Sequence, residues 1–311
     1  MRILFWGTPE FAVPSLRALD DEGFELVGVV TQPDRPAGRG RRLRPSPVKE
    51  VAEALELPVL APERPRGEEF MAALGELAPD LSVVVAYGHI LRPEVLDLPA
   101  LGSINVHASL LPALRGAAPI NWAIARGHEE SGVTVMRMVE AMDAGPVLHT
   151  IVEPILPGET ASELSVRLSE LGAEALVEAL TLLAAESLTE VPQNHELATF
   201  APKVDRATAR IDWARTAQQV EWHIRGMDAV PGAWSELEGQ PVKLFRPTAQ
   251  PGGGASAPPG TVLSAESDVG LVVAAAEGQV RLDQVQPPGK RRMDARHWIN
   301  GRGVHAGQRF V

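Results

Sequence analysis

The chain has 311 residues, 45% of them hydrophobic, and no cysteine. That length and apolar share fit two packed domains and exclude wholesale disorder, and the cysteine count excludes disulfides, thiolate nucleophiles and Cys-based metal sites. The net charge of −11 argues against a general nucleic-acid binder, yet residues 1–206 hold 17 basic and 30 acidic side chains (−13) while residues 207–311 hold 12 and 10 (+2).

The chain opens with an apolar strand over 3–6 that meets Gly7 and Pro9, too short for the apolar region of a signal peptide. Gly7-Thr8-Pro9 is neither a dinucleotide fingerprint nor a P-loop, and Pro9 suits the start of a helix over 11–22. A strand over 26–30 follows, then a basic loop, a helix over 48–55, a short strand at 59–60 and a helix over 68–77. The unbroken run 81–86 suits a strand covered on both faces, as in a parallel sheet, and 104–107 and 133–138 follow the same style. This alternation predicts an α/β domain, a Rossmann-like doubly wound parallel sheet, over 1–187. A long helix is expected over 160–185, where leucines recur at helical spacing. Residues 188–206, with Pro192 and Pro202 and no period, read as a linker. Beyond it come a helix over 216–225 and five short strands, at 233–237, 242–246, 261–264, 271–274 and 280–285. These predict a small OB-like β-barrel over 207–311, with a flexible loop over 250–260. No apolar run reaches membrane-span length, so a cytoplasmic protein with no membrane partner is expected.

Two segments carry chemistry. Residues 32–45 include Arg35, Arg39, Arg41, Arg42 and Arg44, with no acid between 35 and 49. Their planar guanidinium forks suit phosphates and base edges. Pro and Gly predict a mobile loop, and Asp34 is expected to brace it. Lys290-Arg291-Arg292 forms a second patch. The other segment is Ser103-Ile104-Asn105-Val106-His107-Ala108-Ser109-Leu110-Leu111-Pro112, followed by Met142-Asp143-Ala144-Gly145. Residues i and i+2 of a strand share a face, so Asn105 and His107 project together at a strand's carboxyl end, where open α/β sheets bind ligands. An amide that donates to an oxyanion, an imidazole that moves protons and a carboxylate that orients it form an acyl-transfer set. Tyr87-Gly88-His89-Ile90-Leu91 follows another strand and offers backbone groups to a flat heterocycle. His89, His128 and His149 have no metal-ligand spacing, and no metal is expected. Trp222 and His223 read as packing residues.

The ordered string from Asn105 to Pro112, then Arg115-Gly116-Ala117-Ala118-Pro119-Ile120, then Asp143-x-Gly145, resembles the folate-dependent formyltransferases. The 31–40 loop, Ala209-Arg210-Ile211-Asp212-Trp213 and Gly239-Gln240-Pro241-Val242-Lys243 resemble the methionyl-tRNA formyltransferase family nearly end to end. Met142, Ala144 and Pro146 depart from the family's usual residues without touching Asp143 or Gly145. The resemblance implies a formyl group passed from 10-formyltetrahydrofolate to the amine of initiator methionyl-tRNA. It implies Asn105, His107 and Asp143 as catalytic residues. It puts Tyr87, Gly88, His89, Ile90, Leu91, Ser109, Leu110, Leu111 and Pro112 around the folate. Arg39, Arg41, Arg42, Lys203, Lys290 and Arg291 are the expected tRNA contacts. Two rivals stand beside this reading: a formyltransferase for a small amine such as an amino sugar or glycinamide ribonucleotide, which needs no basic loop, and a non-catalytic RNA-binding protein.

Overall fold

The structure, a computed structural model, describes residues 1–37, 42–252 and 257–311. In chain order its elements are β1 (Arg2–Gly7), α1 (Val13–Asp21), β2 (Glu25–Val30), β3 (Arg35–Ala37), β4 (Arg42–Arg44), α2 (Pro47–Ala54), β5 (Val59–Leu60), α3 (Glu68–Leu77), β6 (Leu81–Val85), α4 (Pro93–Leu96), β7 (Ser103–His107), α5 (Pro119–Ala125), β8 (Glu130–Arg137), β9 (Val147–Pro154) and α6 (Ala161–Ala184). There follow α7 (Ala217–Gly226), β10 (Trp234–Leu237), β11 (Gln240–Gln250), β12 (Val262–Glu266), β13 (Gly270–Ala274), β14 (Gln279–Gln286), β15 (Met293–Asp294) and α8 (Ala295–Asn300). Two compact units result. The first contains Met1–Gly116, Ser131–Glu153 and Ser165–Phe200, and the second Ala117–Glu130, Pro154–Leu164 and Ala201–Val311.

In the first unit seven strands run in the order β5-β2-β1-β6-β7-β8-β9. β1 pairs in parallel with β2 and β6, and β6 with β7. All five residues of β6 are buried, as a strand covered on both faces requires. The Rossmann-like sheet is parallel from β5 to β7, and β8 then runs antiparallel to β7, with His107 opposite Thr134 and Asn105 opposite Met136. Adjacent parallel strands deliver their carboxyl ends to one sheet edge, so the loops after β6 and β7 emerge side by side there.

Within the basic segment the described residues form a short ribbon. β3 and β4 pair antiparallel, Arg35 with Arg44 and Ala37 with Arg42. Pro36 sits in this two-stranded ribbon, where a missing N–H costs no interior ladder bond. Asp34 braces its base through an ion pair with Lys49 at 2.9 Å.

The second unit contains a curled antiparallel sheet, β10-β11-β14-β13-β12, with β15 on β14. The segment 308–311 stitches its two edges. Val262 N–H donates to the Gln308 carbonyl at 2.8 Å and Phe310 N–H to that of Gly260 at 2.9 Å. Glu236 and Val311 exchange backbone bonds at 3.0 and 2.9 Å. Both edge strands therefore find a partner, which removes the exposed edges an open sheet carries. Phe310 and Trp213 close the core beneath, their ring centroids 5.9 Å apart. α7 begins with a capping box between Thr216 and Gln219. α5 belongs to this unit because it packs on α7: Asn121 donates to the Gly226 carbonyl at 2.7 Å. A Cβ at Gly226 would lie 2.8 Å from that of Ala125.

Candidate active site

β7 carries Asn105 and His107 on one face, as its two-residue period demands. His107 is 6% exposed. Its Nε2 lies 3.1 Å from the Leu114 carbonyl. A carbonyl only accepts, so Nε2 is the protonated nitrogen in this contact and Nδ1 points the other way. That nitrogen faces Asp143 Oδ2 at 3.8 Å, too far for a direct hydrogen bond and near enough to stabilise an imidazolium. Asp143 Oδ2 also accepts the Gly116 N–H at 2.7 Å. Among the described residues the Asn105 amide, half-buried, has no protein partner.

Backbone geometry puts the carboxylate there. Asp143 takes a left-handed φ of 50°, a conformation Asp tolerates better than most residues. Two residues on, a Cβ at Gly145 would lie 1.9 Å from the Arg137 carbonyl, so only glycine lets this loop fold back onto β8. The Asp-x-Gly spacing thus has a steric reason.

Part of the segment 188–206, expected as a linker, packs in the first unit. Residues 191–200 belong to the first unit and line this site. Val191 bridges Val147, and Phe200 bridges Arg115. Thr199 holds the loop after β7 by three bonds: its hydroxyl accepts the Leu114 N–H, its carbonyl accepts that of Arg115, and its own N–H donates to Pro112. Gln193, buried, donates its amide to the carbonyls of Asp143 at 3.0 Å and Gly145 at 2.7 Å. Its own oxygen accepts Arg115 Nε at 3.1 Å and Nη2 at 2.5 Å. Arg115 Nη2 donates also to His195 Nδ1 at 3.0 Å. Gln193 escaped the sequence reading because it lies in an aperiodic stretch. The signal available was its polarity among prolines, which does not distinguish a brace from a loop.

The expected folate residues divide. Tyr87 is a core residue: 1% exposed, its ring 5.2 Å from that of Trp6 in an edge-on pair. Burial pushes its phenol up to about 12, and its hydroxyl is unpartnered among the described residues. Its carbonyl is already taken by Thr8 and Gln32. Any contact from Tyr87 is therefore not through its ring. Beyond it, Gly88 turns with φ 88°, and His89 and Ile90 follow, Ile90 exposed at 79% while Leu91 is buried. In the neighbouring loop the Ser109 hydroxyl donates to Ala113 at 2.6 Å. Thr134 donates to the Ser109 carbonyl and accepts the Leu111 N–H. These bonds hold Ser109–Pro112 as a rigid turn.

Of the expected tRNA contacts, Arg39 and Arg41 lie outside the described residues. Arg42 is exposed on the ribbon in the first unit. Lys203, Lys290 and Arg291 are exposed in the second. Among the described residues no group of three or more His, Asp or Glu side chains is placed to hold a metal, and no helix is long and apolar enough to cross a membrane.

Comparison with known proteins agrees with this geometry. Residues 1–180 match the formyl transferase family model and 203–303 the formyl transferase C-terminal domain model. The chain is 50% identical over 310 residues to the methionyl-tRNA formyltransferase of Symbiobacterium thermophilum, covering all of this chain and 95% of that protein. Pelobacter propionicus has a methionyl-tRNA formyltransferase 46% identical over 96% of this chain and 92% of its own. The fold is shared with Aquifex aeolicus HypX in complex with tetrahydrofolic acid, at 21% identity and a TM-score of 0.64. That match covers 96% of this chain, which spans about half of HypX, 46% of its length.

Proposed function

As the chain belongs to the methionyl-tRNA formyltransferases, we propose that it transfers the formyl group of 10-formyltetrahydrofolate to the methionine amine of initiator methionyl-tRNA in the cytoplasm. The observation that carries the chemistry is His107 Nδ1 facing Asp143 Oδ2 at 3.8 Å, with the unpartnered Asn105 amide on the same strand face.

The donor's residues fit their task. Two adjacent loops, Tyr87–Leu91 and Ser109–Pro112, leave one sheet edge, and the second is rigid; together they form the cleft walls for a flat heterocycle. The acceptor amine attacks only when neutral, and a free α-amino group has a pKa of about 7.7–8.0. His107 takes the amine's proton on Nδ1 as the amine adds to the formyl carbon, and passes it to N10 of the folate as the tetrahedral adduct collapses, the formyl C–N10 bond breaks and tetrahydrofolate leaves. The resulting imidazolium lies between two acceptors, the Leu114 carbonyl and the Asp143 carboxylate, and is stabilised by both. The Asn105 N–H₂ donates to the oxygen that gains charge as the amine adds. Asp143 keeps its position through Gly116 N–H and through Gln193, which grips the main chain on either side of Ala144. No covalent nucleophile is needed. The basic segment, through Arg39, Arg41 and Arg42, engages the acceptor end, and Lys203, Lys290 and Arg291 add phosphate contacts. Domain roles follow: chemistry in 1–187, with the bracing segment 188–206, and RNA affinity in 207–311.

The test is formyl transfer with charged initiator tRNA, charged elongator tRNA, an amino sugar nucleotide and glycinamide ribonucleotide. The reading predicts transfer to initiator tRNA and little to the others. Efficient transfer to a small amine with none to charged tRNA would overturn it.

A further inference from the structure

A cavity of about 290 Å³ lies within the second unit, and none of its lining residues is used above for chemistry. Its size is at the lower end for small-ligand sites. One wall is a cross-strand row, because Trp234 on β10 pairs with Lys243 on β11, and Lys243 pairs with Gln286 on β14. The row therefore reads aromatic ring, ammonium, amide across three neighbouring strands. Pro231 and Pro287 add apolar walls.

The charge is unusual for this acidic protein. The Arg206 guanidinium lies 4.7 Å from the centre of the Trp234 ring and that of Arg210 5.5 Å. The indole N–H donates to the Arg206 carbonyl at 2.6 Å, which fixes the ring edge. Lys243 Nζ donates to the Pro231 carbonyl at 2.6 Å, using one of three N–H groups and leaving two for an anion. A Cβ at Gly232 would lie 2.9 Å from Lys243 Cδ, so the glycine leaves room for the lysine stem beside the cavity. Glu236 is the acid on the same face of β10, outnumbered by Arg206, Arg210 and Lys243.

We propose that this cavity binds a single nucleotide, its base stacked on the Trp234–Arg206 layer between proline walls and its phosphate held by Lys243. Aromatic and guanidinium planes accept any base face, and the two free ammonium donors match a phosphate. The nucleotide comes either from an unpaired position of the RNA acceptor, which rests on the function proposed above, or from free mononucleotide.

The full chain carrying Trp234→Leu, and separately Lys243→Gln, is compared with wild type in two assays. The first is formylation of charged initiator tRNA, and the second is calorimetric titration with AMP, GMP, CMP and UMP. Trp234 packs partly on the core, so thermal melts check its folding, and Lys243→Gln provides a variant at a half-buried surface position. The expected result is a KM for tRNA raised by about tenfold in Trp234→Leu, the size of one lost stacking contact, and raised also in Lys243→Gln, which loses the phosphate contact, with the KM for the formyl donor unchanged in both. A wild-type KM for tRNA in both variants, together with mononucleotide binding that both abolish, supports the site with free nucleotide as its ligand. Unchanged tRNA kinetics with no mononucleotide bound, or with binding that survives both substitutions, overturns the proposal. If wild type formylates no tRNA, the function falls and the titration still decides the cavity.

Discussion

His107 and Asp143 do different work, and substitutions separate them. His107→Ala removes the proton acceptor and should cut kcat by roughly 10²–10⁴-fold, with folate affinity near wild type by equilibrium binding. Asp143→Asn keeps the Gly116 hydrogen bond and removes the charge, so its loss measures imidazolium stabilisation alone. Wild-type kcat in either variant would remove that residue from the mechanism. Tyr87 makes the opposite case. Its buried hydroxyl has no partner and its ring packs on Trp6. Tyr87→Phe should therefore keep activity and hold or raise the melting temperature, because an unsatisfied buried donor costs about 1–3 kcal/mol. A large rise in the KM for folate would show that the hydroxyl touches the donor. Asn105, His107 and Asp143 were legible in the sequence because strand period, glycine and chemistry type coincide in two short strings. The burial of the Tyr87 ring was not, since a residue at a strand end is equally able to turn inward or outward.

At the scale of elements, the segment 191–200 is the part that periodicity could not reveal. It has neither helical nor strand repeat, and its bonds run to loops distant in sequence. Gln193→Glu removes both N–H donors from the Asp143 loop while retaining an acceptor for Arg115. It should lower kcat by roughly 10–100-fold through misplaced geometry, with a smaller effect on the KM for folate. Equal effects on both parameters would make Gln193 a general structural residue. On α7, burial and then the Arg215 charge push the His223 imidazole below its ordinary 6.5, outweighing a hydrogen bond to the Ala209 backbone and the charge of Asp212. The folded state refuses a proton that the unfolded state takes. Stability linked to His223 is thus full above about pH 6.5 and is lost as the pH falls below it. His223→Gln should flatten the fall in the second unit's melting temperature between pH 7 and 5; an unchanged slope would assign it to other groups. The strands and helices of the first half were mostly marked by apolar pattern, whereas α5, β9 and α8 were not read. The ribbon β3–β4 was not, because its arginines and Pro36 hide a pairing that only the cross-strand partner supplies.

Across the whole molecule, each unit is completed by chain from elsewhere in the sequence. The second unit takes in α5 and is stitched at its sheet edges by 308–311. Phe310 is 1% exposed, so Phe310→Ala should cost about 3–5 kcal/mol, seen as an earlier melt of the second unit. A Val311 deletion, which removes the bonds with Glu236, should cost less. An unchanged melt for Phe310→Ala would show that the stitched edges are not needed for the core. The sequence reading divided the chain at 187 and 207 because composition changes there. Tertiary hydrogen bonds, invisible to composition, move the seam.

Residues 188–206 look like a place where evolution or an engineer would cut and recombine modules. A fragment ending at 187 would keep Asn105, His107 and Asp143 yet lack the amide that steadies the carboxylate loop and the threonine that holds the loop after β7. A chimera grafting a foreign partner onto that cut would inherit the reactive groups without their alignment. A cut after Phe200 keeps the strap with the catalytic groups but parts α5 from α7, so neither cut separates two self-sufficient modules.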